Sequence, residues 1–162
     1  MHLVTKSLLA LALCTLPVLA EQVKILAESF DGNEKKGITV FKGNVKITKG
    51  NDELNASKVT VFTDAQRNPY QYEAEGNVSF YIDLPDNNAT YKGDAGKVIY
   101  YPLKQEYQFY TNVHLYQLGT TRKVSGDEVL LNAKDGNAKA VGKKTTPVIM
   151  IFNVEDKKKD EK

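Results

Sequence analysis

Between Val40 and Phe62, apolar and polar residues alternate in two short runs around a polar turn. Val45 and Ile47 flank Lys46 in the first run, and Val59 and Val61 flank Thr60 in the second. Period-two alternation of β-branched residues predicts strands with one face toward a core. Lys49-Gly50-Asn51-Asp52 supplies the reversal, because Gly and Asn accept positive φ. Gly43, just ahead of Asn44-Val45, predicts a tight turn into the first strand. The unit reads as a β-hairpin.

The chain then repeats it. Gly43-Asn44-Val45 returns as Gly76-Asn77-Val78 and, weakened, as Thr111-Asn112-Val113, at steps of 33 and 35 residues. A second half-motif follows each copy: Ala56-Ser57-Lys58-Val59, Ala95-Gly96-Lys97-Val98 and Gly126-Asp127-Glu128-Val129. A partial copy opens at Ala27-Glu28-Ser29-Phe30. The order of the two half-motifs is kept, which argues against chance recurrence of turn dipeptides. Repeats of this length bury their apolar faces only by stacking on neighbours.

Further strands are expected at 22–27, 37–41, 70–74, 78–83, 98–101, 105–110, 113–118, 124–132, 138–141 and 148–154. Asp64 to Pro69 reads as a turn, Leu84 to Asn88 as a loop, and Pro102 ends the strand before it. No helical stripe interrupts them. The expected fold is all-β, a sandwich, jelly roll or barrel of short strands.

The termini differ from this pattern. Residues 1–20 have a weakly basic start, an apolar run from Ser7 to Val18 and Val18-Leu19-Ala20 at the end. That is the form of an export signal cleaved after Ala20, and the apolar run is short for a membrane span. Residues 21–154 form the expected single domain. Residues 155–162 are nearly all charged and have nothing to bury, so a disordered tail is expected.

Composition narrows the chemistry. The chain has 22 Lys and Arg against 20 Asp and Glu, and loss of Lys6 with the signal leaves 21 against 20. Near-neutral charge argues against a nucleic-acid partner. Beyond residue 20 there is no cysteine, no tryptophan and one histidine, His114. A cysteine nucleophile and a cysteine or multi-histidine metal site are thereby excluded, and no cofactor motif is present. Most acids lie in turns. Paired carboxylates stay open, as does a glycan-acting or glycan-binding β-sandwich in the periplasm. Asn55, Asn77 and Asn88 each lie in an Asn-x-Ser/Thr sequence. Glu53 and Asp86 stand two residues before Asn55 and Asn88, an arrangement resembling the acceptor of some bacterial glycosylation systems.

The apolar phase itself carries Val45, Ile47, Val59, Val61, Val78, Phe80, Ile82, Val98, Tyr100, Val113, Leu115, Val129 and Leu131. These residues either fill a core or line a trough between splayed sheets. A trough gains about 0.8 kcal/mol per buried methylene, or roughly 10 kcal/mol for a long acyl chain before ordering costs.

The segments FKGNVKI, LNASKVTVF, AEGNVSFY, YKGDAGKVIYY and VSGDEVLL resemble the successive repeats of the OstA-like family, over about Ile25 to Val154. The resemblance implies a β-jellyroll of antiparallel strands open at both ends, and a non-enzymatic role in lipopolysaccharide transport in the periplasm. It implies lipid A as the ligand, partners of the same jellyroll type in the inner- and outer-membrane complexes, and head-to-tail self-association through the edges at 22–27 and 148–154. Carried over position by position, lipid contacts fall on Ile25, Phe80 and Tyr100. Alternation adds Val45, Ile47 and Leu115, with Val59, Ile82 and Val98 on the same phase. Thr111 departs from the glycine of the other copies.

Overall fold

The computed structural model describes residues 21–154. The expected export signal at 1–20 and the charged tail at 155–162 lie outside the described residues. Ten antiparallel strands form one sheet: β1 (Val23–Leu26), β2 (Ser29–Asn33), β3 (Ile38–Lys49), β4 (Asp52–Thr63), β5 (Pro69–Leu84), β6 (Ala89–Tyr101), β7 (Glu106–Gln117), β8 (Lys123–Asn132), β9 (Ala138–Val141) and β10 (Ile149–Ile151). The sheet runs β1-β3-β4-β5-β6-β7-β8-β10, with β2 also on β3 and β9 also on β8. The all-β expectation holds. A single turn of 3-10 helix, Pro85–Asn87, interrupts the strands.

The Gly-Asn dipeptides do not reverse the chain as the sequence suggested. Segments 37–41 and 45–47 join into one 12-residue strand, and 70–74 and 78–83 into one of 16 residues. Gly43 (φ 82°) and Asn44 (φ 44°) are both left-handed, as are Gly76 (83°) and Asn77 (47°), and Thr111 (68°) and Asn112 (50°). At each pair the ladder slips by one residue, between Lys42 and Val45, between Glu75 and Val78, and between Tyr110 and Val113. These are β-bulges, where an extra residue bends the strand while pairing continues on either side.

The second half-motif is the partner of the bulge. Ser57 lies opposite Gly43-Asn44, Gly96 opposite Gly76-Asn77, and Asp127 opposite Thr111-Asn112. Even-numbered strands have no extra residue there, so their inward phase shifts instead. Leu54 and Ala56 face inward before the bend of β4, and Val59 and Val61 after it. Aligned across β3 to β8, the bends form a crease that folds the sheet on itself. One leaf holds positions 38–42, 58–63, 69–75, 97–101, 106–110 and 128–132. The other holds 45–49, 52–56, 78–84, 89–95, 113–117 and 123–126. Phe80 and Phe109 belong to different leaves, and their ring centroids meet at 4.6 Å.

The repeated valines pack the crease. Val45, Val59, Val78, Val98, Val113 and Val129 are all at most 1% exposed. Burying a valine contributes about 1.5–3 kcal/mol, so each repeat supplies two strong apolar anchors where the sheet bends. Gly93 serves the opposite leaf wall. It pairs with Phe80 and with Leu115. A Cβ at Gly93 would lie 1.9 Å from the His114 carbonyl oxygen and 2.7 Å from Phe80 Cζ. The ring of Phe80 therefore lies over bare backbone.

A candidate apolar cleft between the leaves

Away from the crease the leaves diverge. Ile47, Leu54, Phe80 and Ile82 of one leaf face Tyr72, Ala74, Val98, Tyr100 and Tyr107 of the other across an apolar cavity of about 60 Å³, with Val23 at its rim. Next to it lies a polar cavity of about 230 Å³, bounded by Glu21, Asn51, Asp83, Asp86 and Gln105 among others. Lys49, Asp52, Tyr100 and Tyr107 line both cavities and form the partition between them.

The partition is held by one carboxylate. Asp52 Oδ1 accepts from the Asp83 backbone N–H at 2.8 Å, within its own leaf. Its Oδ2 accepts from the Tyr107 hydroxyl at 3.2 Å, across the cleft. Tyr107 stacks on Tyr100 at 4.4 Å, and Tyr100 lies 6.2 Å from Tyr72, so three tyrosines form a continuous aromatic wall. Burial raises the Asp52 pKa, and the Asp83 N–H, Lys49 and Tyr107 offset only part of that rise. Burial also pushes the Tyr107 phenol far up, reinforced by the Asp52 charge, so the hydroxyl stays a donor. Burial by itself lowers the Lys49 pKa, but the surrounding Tyr100, Glu21 and Asp52 outweigh it and the net shift is upward. Lys49 also pairs with Glu21 at 3.2 Å.

The structure brings five of the nine expected lipid-contact residues to this cleft: Ile47, Phe80, Ile82, Val98 and Tyr100. Val45 and Val59 sit in the crease, and Leu115 is buried under the packed half of the same leaf. Ile25 is partly buried on β1, paired with Ile47. Leu54, Tyr72, Ala74 and Tyr107 also line it without having been singled out from the sequence. Their alternation was legible, since Tyr107 and Phe109 share one phase of β7. His114 faces outward and meets Asp94 at 3.1 Å. Among the described residues, no cluster of three or more His, Cys, Asp or Glu has the arrangement of a metal site, and no helix is long and apolar enough to cross a membrane.

Comparison with known proteins places this architecture. LptH, the LptA homologous periplasmic component of the conserved lipopolysaccharide transport device from Pseudomonas aeruginosa, has the same fold at a TM-score of 0.72 and 17% identity, covering 83% of this chain and 96% of that one. The lipopolysaccharide export system protein LptA of Escherichia coli K12 is 26% identical over 125 residues, 74% of this chain. The chain spans 66% of that relative's length. LptA of Haemophilus influenzae is 29% identical over 136 residues, 82% of this chain and 77% of the relative. The family described as LptA/(LptD N-terminal domain) LPS transport protein matches residues 24–137. With that match extending over most of the chain, from β1 to the turn after β8, the protein belongs to the LptA/LptD N-terminal-domain family of lipopolysaccharide transport proteins.

Proposed function

We propose that this chain is a non-enzymatic carrier that seats the acyl chains of lipid A in the cleft between its leaves. Lipopolysaccharide then passes through the periplasm from an inner-membrane complex to an outer-membrane translocon along a head-to-tail bridge of jellyroll domains. The observation that carries the reading is the mainly apolar cleft of Ile47, Leu54, Phe80, Ile82, Tyr72 and Tyr100 inside a transport-family fold. The cleft is partly open to solvent, and seating an acyl chain at depth parts the leaves at the tyrosine wall. Parting breaks the Asp52–Tyr107 hydrogen bond, which costs about 0.5–1.5 kcal/mol, and leaves the Tyr100–Tyr107 stack intact, since both rings belong to one leaf. Burying one or two methylenes at about 0.8 kcal/mol each offsets it, and a longer chain leaves a surplus.

The sheet edges support the bridge. β1 and β10 end the strand order, and Ile149, Met150, Ile151 and Phe152 are each at least half exposed. An unpaired edge with apolar side chains can accept a strand from a second domain, and head-to-tail addition does not close on itself. In this reading residues 1–20 direct export and are removed, and 21–154 form the carrier domain.

Capture of lipopolysaccharide by immobilised protein tests the carrier role. Ile47→Asp places a carboxylate on a half-buried cleft position without touching the Phe80–Phe109 contact. Capture is expected to fall at least about tenfold, corresponding to about 1.4 kcal/mol, while the β-sheet circular dichroism is kept. A folded Ile47→Asp protein that captures lipopolysaccharide as the parent does would overturn the cleft assignment.

A further inference from the structure

Three segments carry an asparagine with a hydroxyl residue two positions after it and an acid two positions before it: Glu53 to Ser57, Glu75 to Ser79 and Asp86 to Thr90. By sequence they are equivalent acceptors for an N-linked sugar. The fold separates them.

Asn55 lies inside β4, paired with Lys46 on one side and Ser79 on the other. Its side-chain amide already donates to Glu53 Oε1 at 3.1 Å, and the next residue, Ala56, is core. Asn77 is exposed at the bulge of β5, but it lies mid-strand between β4 and β6, and Val78 after it is 1% exposed. Seating either acceptor segment in an enzyme's site requires pulling a central strand out of the sheet.

Asn88 follows the 3-10 turn Pro85–Asn87, with φ 47° and ψ 44°, and its backbone N–H donates to the Pro85 carbonyl. Positions 85–88 are all exposed, and the Asn88 side chain makes no hydrogen bond among the described residues. Ala89 and Thr90 form the last two rungs of the β5–β6 ladder, opposite Leu84 and Asp83. The Thr90 hydroxyl donates to Asp83 Oδ1 at 3.0 Å, so freeing the acceptor sequence costs one side-chain hydrogen bond and two terminal rungs. Strand ends of this kind open far more readily than strands within the sheet.

We infer that Asn88 is a glycosylation site, modified in the folded protein by an oligosaccharyltransferase that uses a polyprenyl-diphosphate-linked oligosaccharide. The Asn88 side-chain nitrogen forms a C–N bond to the anomeric carbon of the sugar. The C–O bond to the diphosphate breaks, and the polyprenyl diphosphate leaves with the bonding pair. The amide gives up one proton to a base on the enzyme, and no redox change occurs. Pro85 and Asp86 border the polar cavity, so the glycan stands on the rim of that cavity and outside the apolar cleft.

The test is intact mass and glycopeptide mapping of the full chain isolated from its native host. The expected result is one added glycan, at Asn88, that disappears in Asn88→Gln and in Thr90→Ala and persists in Asn55→Gln and Asn77→Gln. Asp86→Ala is expected to lower the occupied fraction, and Asp83→Ala to raise it by freeing Thr90. An unmodified Asn88 overturns the inference. So does a glycan on Asn55 or Asn77, since that would mean transfer to the unfolded chain. Circular dichroism of Asn88→Gln matching the parent separates loss of the acceptor from loss of the fold.

Discussion

Thr111→Gly is expected to stabilise the protein, although it removes a side chain. Thr111 occupies the position of Gly43 and Gly76 in the third repeat, with φ 68°. A left-handed conformation costs an L-residue about 1–2 kcal/mol, and β-branching places threonine toward the upper end. Glycine removes that strain but adds freedom to the unfolded chain, worth about 0.5–1 kcal/mol. The net gain is about 0.5–1 kcal/mol. The lost packing is small, because Thr111 is exposed and the residue beneath it, Gly96, has no side chain. For a domain of this size the melting temperature should rise by about 2–4 °C. Gly76→Thr is the mirror experiment. It combines φ 83° with a Cβ 2.8 Å from Ser57 Cβ, and strain plus overpacking should cost about 2–4 kcal/mol. Differential scanning calorimetry of both variants reads the answer. If Thr111→Gly lowers the melting temperature, or if both variants melt with the parent, the crease is not built on left-handed bulges.

Two other expectations follow from the cleft walls. Gly93→Ala should destabilise by about 1–3 kcal/mol or more, because its Cβ collides with the His114 carbonyl and displaces Phe80; urea unfolding measures it, and a neutral result would contradict the close approach of Phe80 to this backbone. Asp52 binds its proton more tightly folded than unfolded, so stability should decline as pH rises from its ordinary pKa of 3.8 through the raised value. Asp52→Asn should flatten that part of the stability–pH curve, which thermal melts across the acid range would show, and an unchanged slope would place the titration elsewhere.

The repeat was legible in the sequence because each copy keeps both half-motifs, and the valines that end them are among the most deeply buried side chains in the fold. What Gly43-Asn44 does with its left-handed geometry was not legible. Positive φ serves a chain reversal and a bulge equally well, and only the residue opposite, Ser57, decides between them. The same limit hid the phase shift of β4 between Ala56 and Val59, since the extra residue that causes it lies on β3 and β5. β2 escaped notice because Asp31-Gly32-Asn33 has turn composition, yet it pairs with β3 throughout. Within the apolar phase, Val45 and Ile47 look alike. Their distance from the crease makes the first a core residue and the second a cleft residue, and that distance is set by folding of the whole sheet. Phe80 shows the consequence for experiment. At 4% exposure and stacked on Phe109, it is a stability residue as well as a cleft wall, so Phe80→Asp tests the fold before it tests binding.

The most direct measurement of the carrier account is photo-crosslinking in living cells, with a benzophenone amino acid placed at Tyr72 in the cleft wall and, separately, at Tyr110 on the outer face of the same leaf. The account predicts a lipopolysaccharide adduct from position 72 and none from position 110. Adducts of equal yield from both positions, or none from position 72 in a folded protein, would contradict it.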